Sequence, residues 1–377
     1  MFPKWFGDWN TKNPTNIFGP AILVGAAGGA VFVAAMLVSF GQPFTTDSLQ
    51  TGPRGTGMSV PEFDVTLAAG DPTVADFYFD EPFVPEAGED LAGDIYENVQ
   101  VLGGLTDANF NRLMNAMTQW VAPEEGCAYC HGDGDLSTYG SDDLYTKVVA
   151  RQMIEMTQSI NEGWSGHVNA NAEVGVVCYT CHRGQPVPNN IWFRMGDVNE
   201  NMAGWSANQN RVTLVSNSTS LPSDYLETYL LASEDGSYAR IGVHDLESRV
   251  QQQPGDPLIQ QTERTYAFMN YIANSLGVNC VFCHNSRAFY DPGQVTLQWS
   301  TASLGILMVQ DIIEQHLLPL QDVYPAERLG PVYGDAPLAA CRTCHQGQQR
   351  PMRGINVIVN YPELATTSGE PDYSAFQ

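Results

Sequence analysis

Four copies of one pentapeptide carry the reactive side chains of this sequence. They are Cys127-Ala-Tyr-Cys130-His131, Cys178-Tyr-Thr-Cys181-His182, Cys280-Val-Phe-Cys283-His284 and Cys341-Arg-Thr-Cys344-His345. Two thiols two residues apart, followed at once by His, form the attachment pattern of c-type haem. The thiols add across the two vinyl groups of one porphyrin, and the His then lies under the iron as proximal ligand. The chain has eight cysteines, and the motifs use them all. A zinc knuckle or a redox pair explains one such motif, but not four that each end in His. Four covalently bound c-type haems are expected, with no cysteine left for a structural disulfide.

The second axial positions need ligands of their own. Of seven histidines, four are proximal, leaving His167, His244 and His316. Three histidines cannot complete four bis-histidine haems, so at least one iron takes another residue. Methionine is the natural candidate. Met114-Asn115 and Met269-Asn270 recur ahead of the first and third motifs. That recurrence picks Met114 over Met117 and leaves Met269 unrivalled. Ahead of the second motif, Met153 and Met156 both qualify, and the pattern does not separate them. Ahead of the fourth, the matching string is Met308-Val-Gln-Asp311, with Asp311 where Met156 stands.

Helices must hold these residues. Apolar side chains recur at helical spacing over residues 107–121, 142–161, 261–276 and 301–318, giving each segment one face to lay against a haem. Asp107 and Asp142 are the expected N-caps. The motifs fall into two pairs. The first members share Cys-(Ala/Val)-(Tyr/Phe)-Cys-His. The second share Cys-x-Thr-Cys-His-x-Gly-Gln-x-x-Pro, ending at Pro188 and Pro351. A pairwise repeat predicts two similar halves related by an approximate two-fold axis. The expected fold class is mainly α with many loops, its haem-pair halves at 101–215 and 216–360. Residues 190–260 carry few clear signals, and 361–377 reads as a flexible acidic tail.

Charge narrows the partners. The formal net charge is −25, from 42 acidic and 17 basic residues. Nucleic-acid binding is thereby disfavoured, and a basic protein is the natural complement. From Asn13 to Thr46 no residue is charged. This stretch is long enough to cross a bilayer as one helix. Lys4 and Lys12 before it, and Asp47 after it, favour a cytoplasmic N-terminus. A cleaved signal peptide is the rival, but no convincing Ala-x-Ala site follows. A lipid-modified N-terminal Cys is impossible, since no cysteine stands there. The expected order is a cytoplasmic segment 1–16, a transmembrane helix 17–40 and an extended periplasmic strap 41–100.

The motif set, its intervals and the helix before each motif resemble the tetrahaem cytochrome subunit of purple-bacterial photosynthetic reaction centres. The resemblance covers roughly residues 55 to 360. It implies His/Met ligation for three haems, matching His131 with Met114, His182 with Met156, and His284 with Met269. It implies His/His ligation for the fourth, matching His345 with His167, which lies just upstream of the second motif. His316 is the rival for that role. The resemblance also implies a spatial haem order of first, second, fourth, third. It further implies a reaction-centre partner with L and M subunits, a surrounding light-harvesting 1 ring, and a periplasmic location on the bacterial photosynthetic membrane. The donor would be soluble, a cytochrome c2-like or high-potential iron–sulfur protein. Many family members are held by an acylated Cys that this chain lacks.

The residues themselves argue electron transfer rather than enzymatic catalysis. Every iron can have both axial positions filled, and no further catalytic constellation stands out. A membrane-anchored multihaem quinol dehydrogenase would carry more histidines. A multihaem reductase would need one of Met114, Met156, Met269 or His167 not to ligate.

Overall fold

The computed structural model describes residues 3–14, 18–39, 46–50, 59–63, 80–133, 136–169, 174–196, 209, 213, 220–243, 258–367 and 370–377. The protein is mainly helical. It divides into two units, 1–49 with 61–70, and 50–60 with 71–377.

The first unit holds α1 (Lys4–Lys12) and α2 (Phe18–Ser39). α2 runs for 22 residues without a charged side chain. Its described side chains, Ile22 to Val38, are largely exposed, Val24 at 73% and Val38 at 76%. Among the described residues no helix is long and apolar enough to cross a membrane. Strands β1 (Thr46–Gln50) and β2 (Ser59–Phe63) pair in a two-stranded sheet. Of the expected strap, 41–45, 51–58 and 64–79 lie outside the described residues, and 80–90 contains neither helix nor strand.

The second unit carries the motifs. α3 (Asp107–Val121) has the expected bounds, but its cap is Thr106, which accepts from the Asn109 amide at 3.4 Å. Asp107 sits in the first turn instead, where a carboxylate suits the helix dipole. The first motif ends in α4 (Ala128–His131). α5 (Tyr145–Gly163) begins later than expected. Asp142 does not cap it, because its carboxylate is bonded to Arg151 at 2.7 Å and Asn98 at 2.9 Å. α6 (Ser165–Val168) follows directly, and α7 (Cys178–His182) is the second motif. The stretch 190–260, with few clear signals in the sequence, contributes α8 (Tyr225–Leu230), with Tyr225, Leu226, Tyr229 and Leu230 buried. α9 (Ile259–Leu276) precedes the third motif, which enters a short 3-10 turn at Cys280–Phe282. α10 (Leu297–Ile312) runs into a π-helical turn, Ile313–Leu317, and α11 (Cys341–His345) is the fourth motif.

Two main cores form, and each is closed by chain from far away. The first joins Leu113, Ala116 and Trp120 of α3 and Ile154 of α5 to Met352, Val357, Ile358, Tyr361 and Leu364. The second joins α8, Phe268 and Tyr271 of α9 and Val309, Ile313 and Leu317 to Trp192. Chain trailing the second motif therefore completes the later core, and chain trailing the fourth completes the earlier one. Backbone bonds fix both crossings. Trp192 and Leu338 exchange a pair at 2.9 and 3.0 Å, while the Val357 and Ile358 amides donate to the Val174 carbonyl at 3.1 and 3.2 Å. Residues 361–377 thus depart from the expected flexible tail. Tyr361 and Leu364 are fully buried as members of the first core, and Tyr373 is nearly so.

Candidate haem sites

The second and fourth motifs share one local construction. In each, the Thr hydroxyl accepts from the amide before the first Cys: Thr180 from Val177 at 3.0 Å, Thr343 from Ala340 at 2.9 Å. After the His the chain reverses through two positive φ values, Arg183 (53°) then Gly184 (78°), and Gln346 (50°) then Gly347 (85°). Glycine takes the second of these positions at little steric cost. The reversal carries the Gln185 and Gln348 carbonyls under the rings, where His182 Nδ1 and His345 Nδ1 donate at 2.8 and 3.0 Å. That is the physical content of the repeated His-x-Gly-Gln. Each turn is also docked on the preceding repeat. The Gly184 amide donates to Trp120 O at 2.9 Å, and the Gly347 amide to Ser275 O at 2.8 Å.

A donor at Nδ1 leaves Nε2 unprotonated and able to bind metal. His284 follows the same rule, donating from Nδ1 to Phe289 O at 3.0 Å. His131 is different. Its Nδ1 is buried with no hydrogen-bond partner among the described residues, and its ring stacks on Tyr139 with centroids 4.4 Å apart. Burial pushes His131, His167, His182 and His284 below the usual imidazole range, and His345 down to about 4. At neutral pH all are uncharged, the form that ligates.

His167 and His345 come together. Their ring centroids are 6.1 Å apart at 67°, and His167 Nδ1 donates to the Thr301 carbonyl at 2.9 Å. Two metal–nitrogen bonds of about 2 Å each, with the rings' own half-widths, separate two axial imidazoles by roughly 6 Å. The centroid separation of His167 and His345 is of that size. His316 is elsewhere, in the π-helical turn, with Nδ1 bonded to Gln152 at 2.8 Å. His244 lies outside the described residues.

A cavity of about 1260 Å³ is lined by the first, second and fourth motifs, and by Met114, Met156 and His167. Its size and apolar walls suit a porphyrin. Met117, Met153 and Met308 also reach it, so the walls alone do not distinguish Met156 from Met153. Met269 packs against the second core.

The cysteines show one departure. Cys127, Cys130, Cys178, Cys280, Cys283 and Cys341 are free thiols. Burial raises Cys178 to about 12, and Cys130, Cys283 and Cys341 to about 11, so these four stay protonated. Cys181 and Cys344, however, form a disulfide, where the sequence left none to expect. The cause is packing: α7 lies against α11, the two Cα atoms are 4.4 Å apart, and Gln346 Nε2 donates to Cys181 O at 3.3 Å. A sulfur in a disulfide cannot also bond a vinyl carbon, so the disulfide and the two thioethers are alternatives.

Sequence reasoning missed the residues that seat His167. Thr301 acts through its carbonyl, which no side-chain pattern reports. Gly305 was visible only as a glycine inside a helical stretch, a weak signal.

Known proteins resemble this chain over most of its length. The photosynthetic reaction centre cytochrome C subunit family matches residues 41–365. A protein of Roseobacter denitrificans named photosynthetic reaction center cytochrome c subunit is 65% identical over 370 residues, covering 97% of this chain and 98% of its own. Namesakes from Rubrivivax gelatinosus (39% over 341 residues, 89% and 87% covered) and Thermochromatium tepidum (40% over 281 residues, 74% and 65% covered) are also similar. With most of its length matched, the chain belongs to the photosynthetic reaction centre cytochrome c subunit family.

Proposed function

We propose that this chain is a membrane-anchored tetrahaem electron carrier, which passes electrons from a soluble periplasmic donor to the photo-oxidised special pair of a reaction centre. The observation that carries the reading is the approach of His167 and His345, with ring centroids 6.1 Å apart and each Nδ1 proton engaged by a backbone carbonyl. Bound at the four motifs, the haems supply one-electron carriers whose irons need no open position for substrate. The residues do the rest. Cys127, Cys130, Cys178, Cys280, Cys283 and Cys341 would tether the porphyrins, together with Cys181 and Cys344 once these two take thioethers in place of their disulfide. His131, His182, His284 and His345 would hold the irons from within the motifs, and Met114, Met156, Met269 and His167 would supply their remaining ligands. Methionine ligation raises potential relative to histidine, so the His167 site is the low one. The reciprocal closing of the two cores supports a division into two haem-pair halves.

α2 is assigned as the anchor in this reading on its uncharged sequence, although its described residues do not by themselves make a membrane span. Its 22 uncharged residues span roughly 33 Å at 1.5 Å per residue, about the thickness of a bilayer core. Glu124, Glu125 and Asp133 are exposed beside the first motif and offer an acidic landing surface. Asp142 does not add to it, because Arg151 and Lys147 hold its carboxyl well below the usual range as a compensated anion. Asp135 lies outside the described residues.

Purification from the native membrane tests the reading. Intact mass should show four added haems, bacteriochlorophyll should co-purify, and a flash should oxidise haem as the special pair recovers. A reduced, folded protein that binds carbon monoxide would instead favour a reductase with an open iron.

A further inference from the structure

α10 precedes the fourth motif as α3, α5 and α9 precede theirs, yet it offers Asp311 where α5 offers Met156. Three contacts tie α10 to α6, the short helix that carries His167. The Thr301 carbonyl accepts from His167 Nδ1 at 2.9 Å. Gly305 lies directly against the ring: a Cβ there would stand 2.5 Å from Cε1 and 3.0 Å from Nδ1. Asp311 Oδ2 accepts from the indole N–H of Trp164 at 2.9 Å, and Trp164 is the residue from which α6 starts.

These contacts divide the work. Thr301 and Gly305 are four residues apart and so share a face of α10. The first selects the tautomer that leaves Nε2 unprotonated, and the second sets how deeply the imidazole can sit. Asp311, nearly two turns further on, pins the backbone from which the ring projects. Glycine inside a helix weakens it, and the close approach of His167 is what Gly305 makes possible.

We propose that Thr301, Gly305 and the Asp311–Trp164 bond are the positioning residues of the fourth haem's distal ligand. α10 carries Asp311 where α5 carries Met156 and serves as the seat for a ligand supplied by another helix. In that account the aspartate marks a change of task along the repeat. The inference rests on the proposed ligation of the fourth haem by His167.

The test uses the full chain in its reaction-centre complex, with carbon monoxide binding to the reduced protein and the low-temperature electron paramagnetic resonance spectrum as readouts. His167→Ala is the control. It should open one haem per chain to carbon monoxide and remove the low-spin bis-histidine signal. Gly305→Ala should do the same, because its methyl group occupies the space of the imidazole. Asp311→Leu and Trp164→Phe should loosen the seat, giving partial carbon monoxide binding and a shifted signal. Asp311→Asn, which keeps an accepting oxygen, should restore the native spectrum. A chain in which His167→Ala opens a haem, while Gly305→Ala and Asp311→Leu leave the spectrum untouched, overturns the proposal. If His167→Ala itself opens none, the ligand assignment fails, and this inference goes with it. Should Gly305→Ala fail to accumulate, the contrast between Asp311→Leu and Asp311→Asn decides alone: equal spectra in the two reject the seat.

Discussion

Arg112 and Glu363, 251 residues apart in sequence, form an ion pair almost sealed from solvent, with side-chain exposures of 3% and 0%. Arg112 also donates to the carbonyls of Asp80 at 2.9 Å and Asn360 at 2.7 Å, and lies over the Tyr361 ring at 4.6 Å. One guanidinium thus fixes the Asn360–Glu363 segment to α3. Removing one partner of a buried pair leaves the other uncompensated, at a cost of about 3–5 kcal/mol. At pH 8, where Glu363 is ionised, Arg112→Leu should lose stability on that scale in urea denaturation, and a loss under about 1 kcal/mol would mean that the pair behaves as a surface bridge.

The pH dependence of this pair has a definite sign. Burial pushes the Glu363 carboxyl up to about 7, outweighing the opposing pull of Arg112. Between the ordinary carboxylate range near 4.5 and pH 7, the folded state holds a proton that the unfolded state has released. Stability should therefore fall as pH rises through that window and level off above it. Glu363→Gln should flatten the slope. Urea midpoints of both proteins measured from pH 5 to pH 8 check this, and parallel curves would assign the slope to another group.

Ligand identity can be read one site at a time. Met114→His, Met156→His and Met269→His should each lower the midpoint potential of a single haem and leave the others nearly unchanged. A redox titration with no shift for one variant strikes that residue from the ligand set. For Met156 the result also decides against its neighbour Met153, which reaches the same cavity.

Donor docking should respond to salt. If Glu124, Glu125 and Asp133 steer a lysine-rich cytochrome, the second-order rate of flash-induced donor oxidation falls as the Debye length shortens to about 8 Å near 0.15 M salt. Reversing the three to Lys should slow that step and spare transfer from haem to special pair. A rate indifferent to salt and to charge reversal points to an apolar contact.

Features with a local cause were the ones legible in the sequence. α3 was found to the residue because its apolar period and the turn into Ala122 are encoded within it. The haem motifs and their repeat were likewise explicit. Misreadings came where a side chain has a distant partner. Asp142 looks like a cap until Arg151 claims it. Residues 361–377 look like a tail until Arg112 and Trp120 are known to face Tyr361. The Cys181–Cys344 contact joins positions 163 residues apart, and no spacing rule predicts it.

The crossed closure of the two cores bears on the order in which the molecule can be finished. α3 emerges early during synthesis, yet the apolar face it presents is covered by Met352, Val357, Ile358, Tyr361 and Leu364. The first haem-binding segment to be made must wait, part-open, for almost the last residues to arrive. Contacts of such sequence separation form late and leave apolar surface unprotected meanwhile. A chain ended before Met352 would keep all four motifs and lose the lid over the first core.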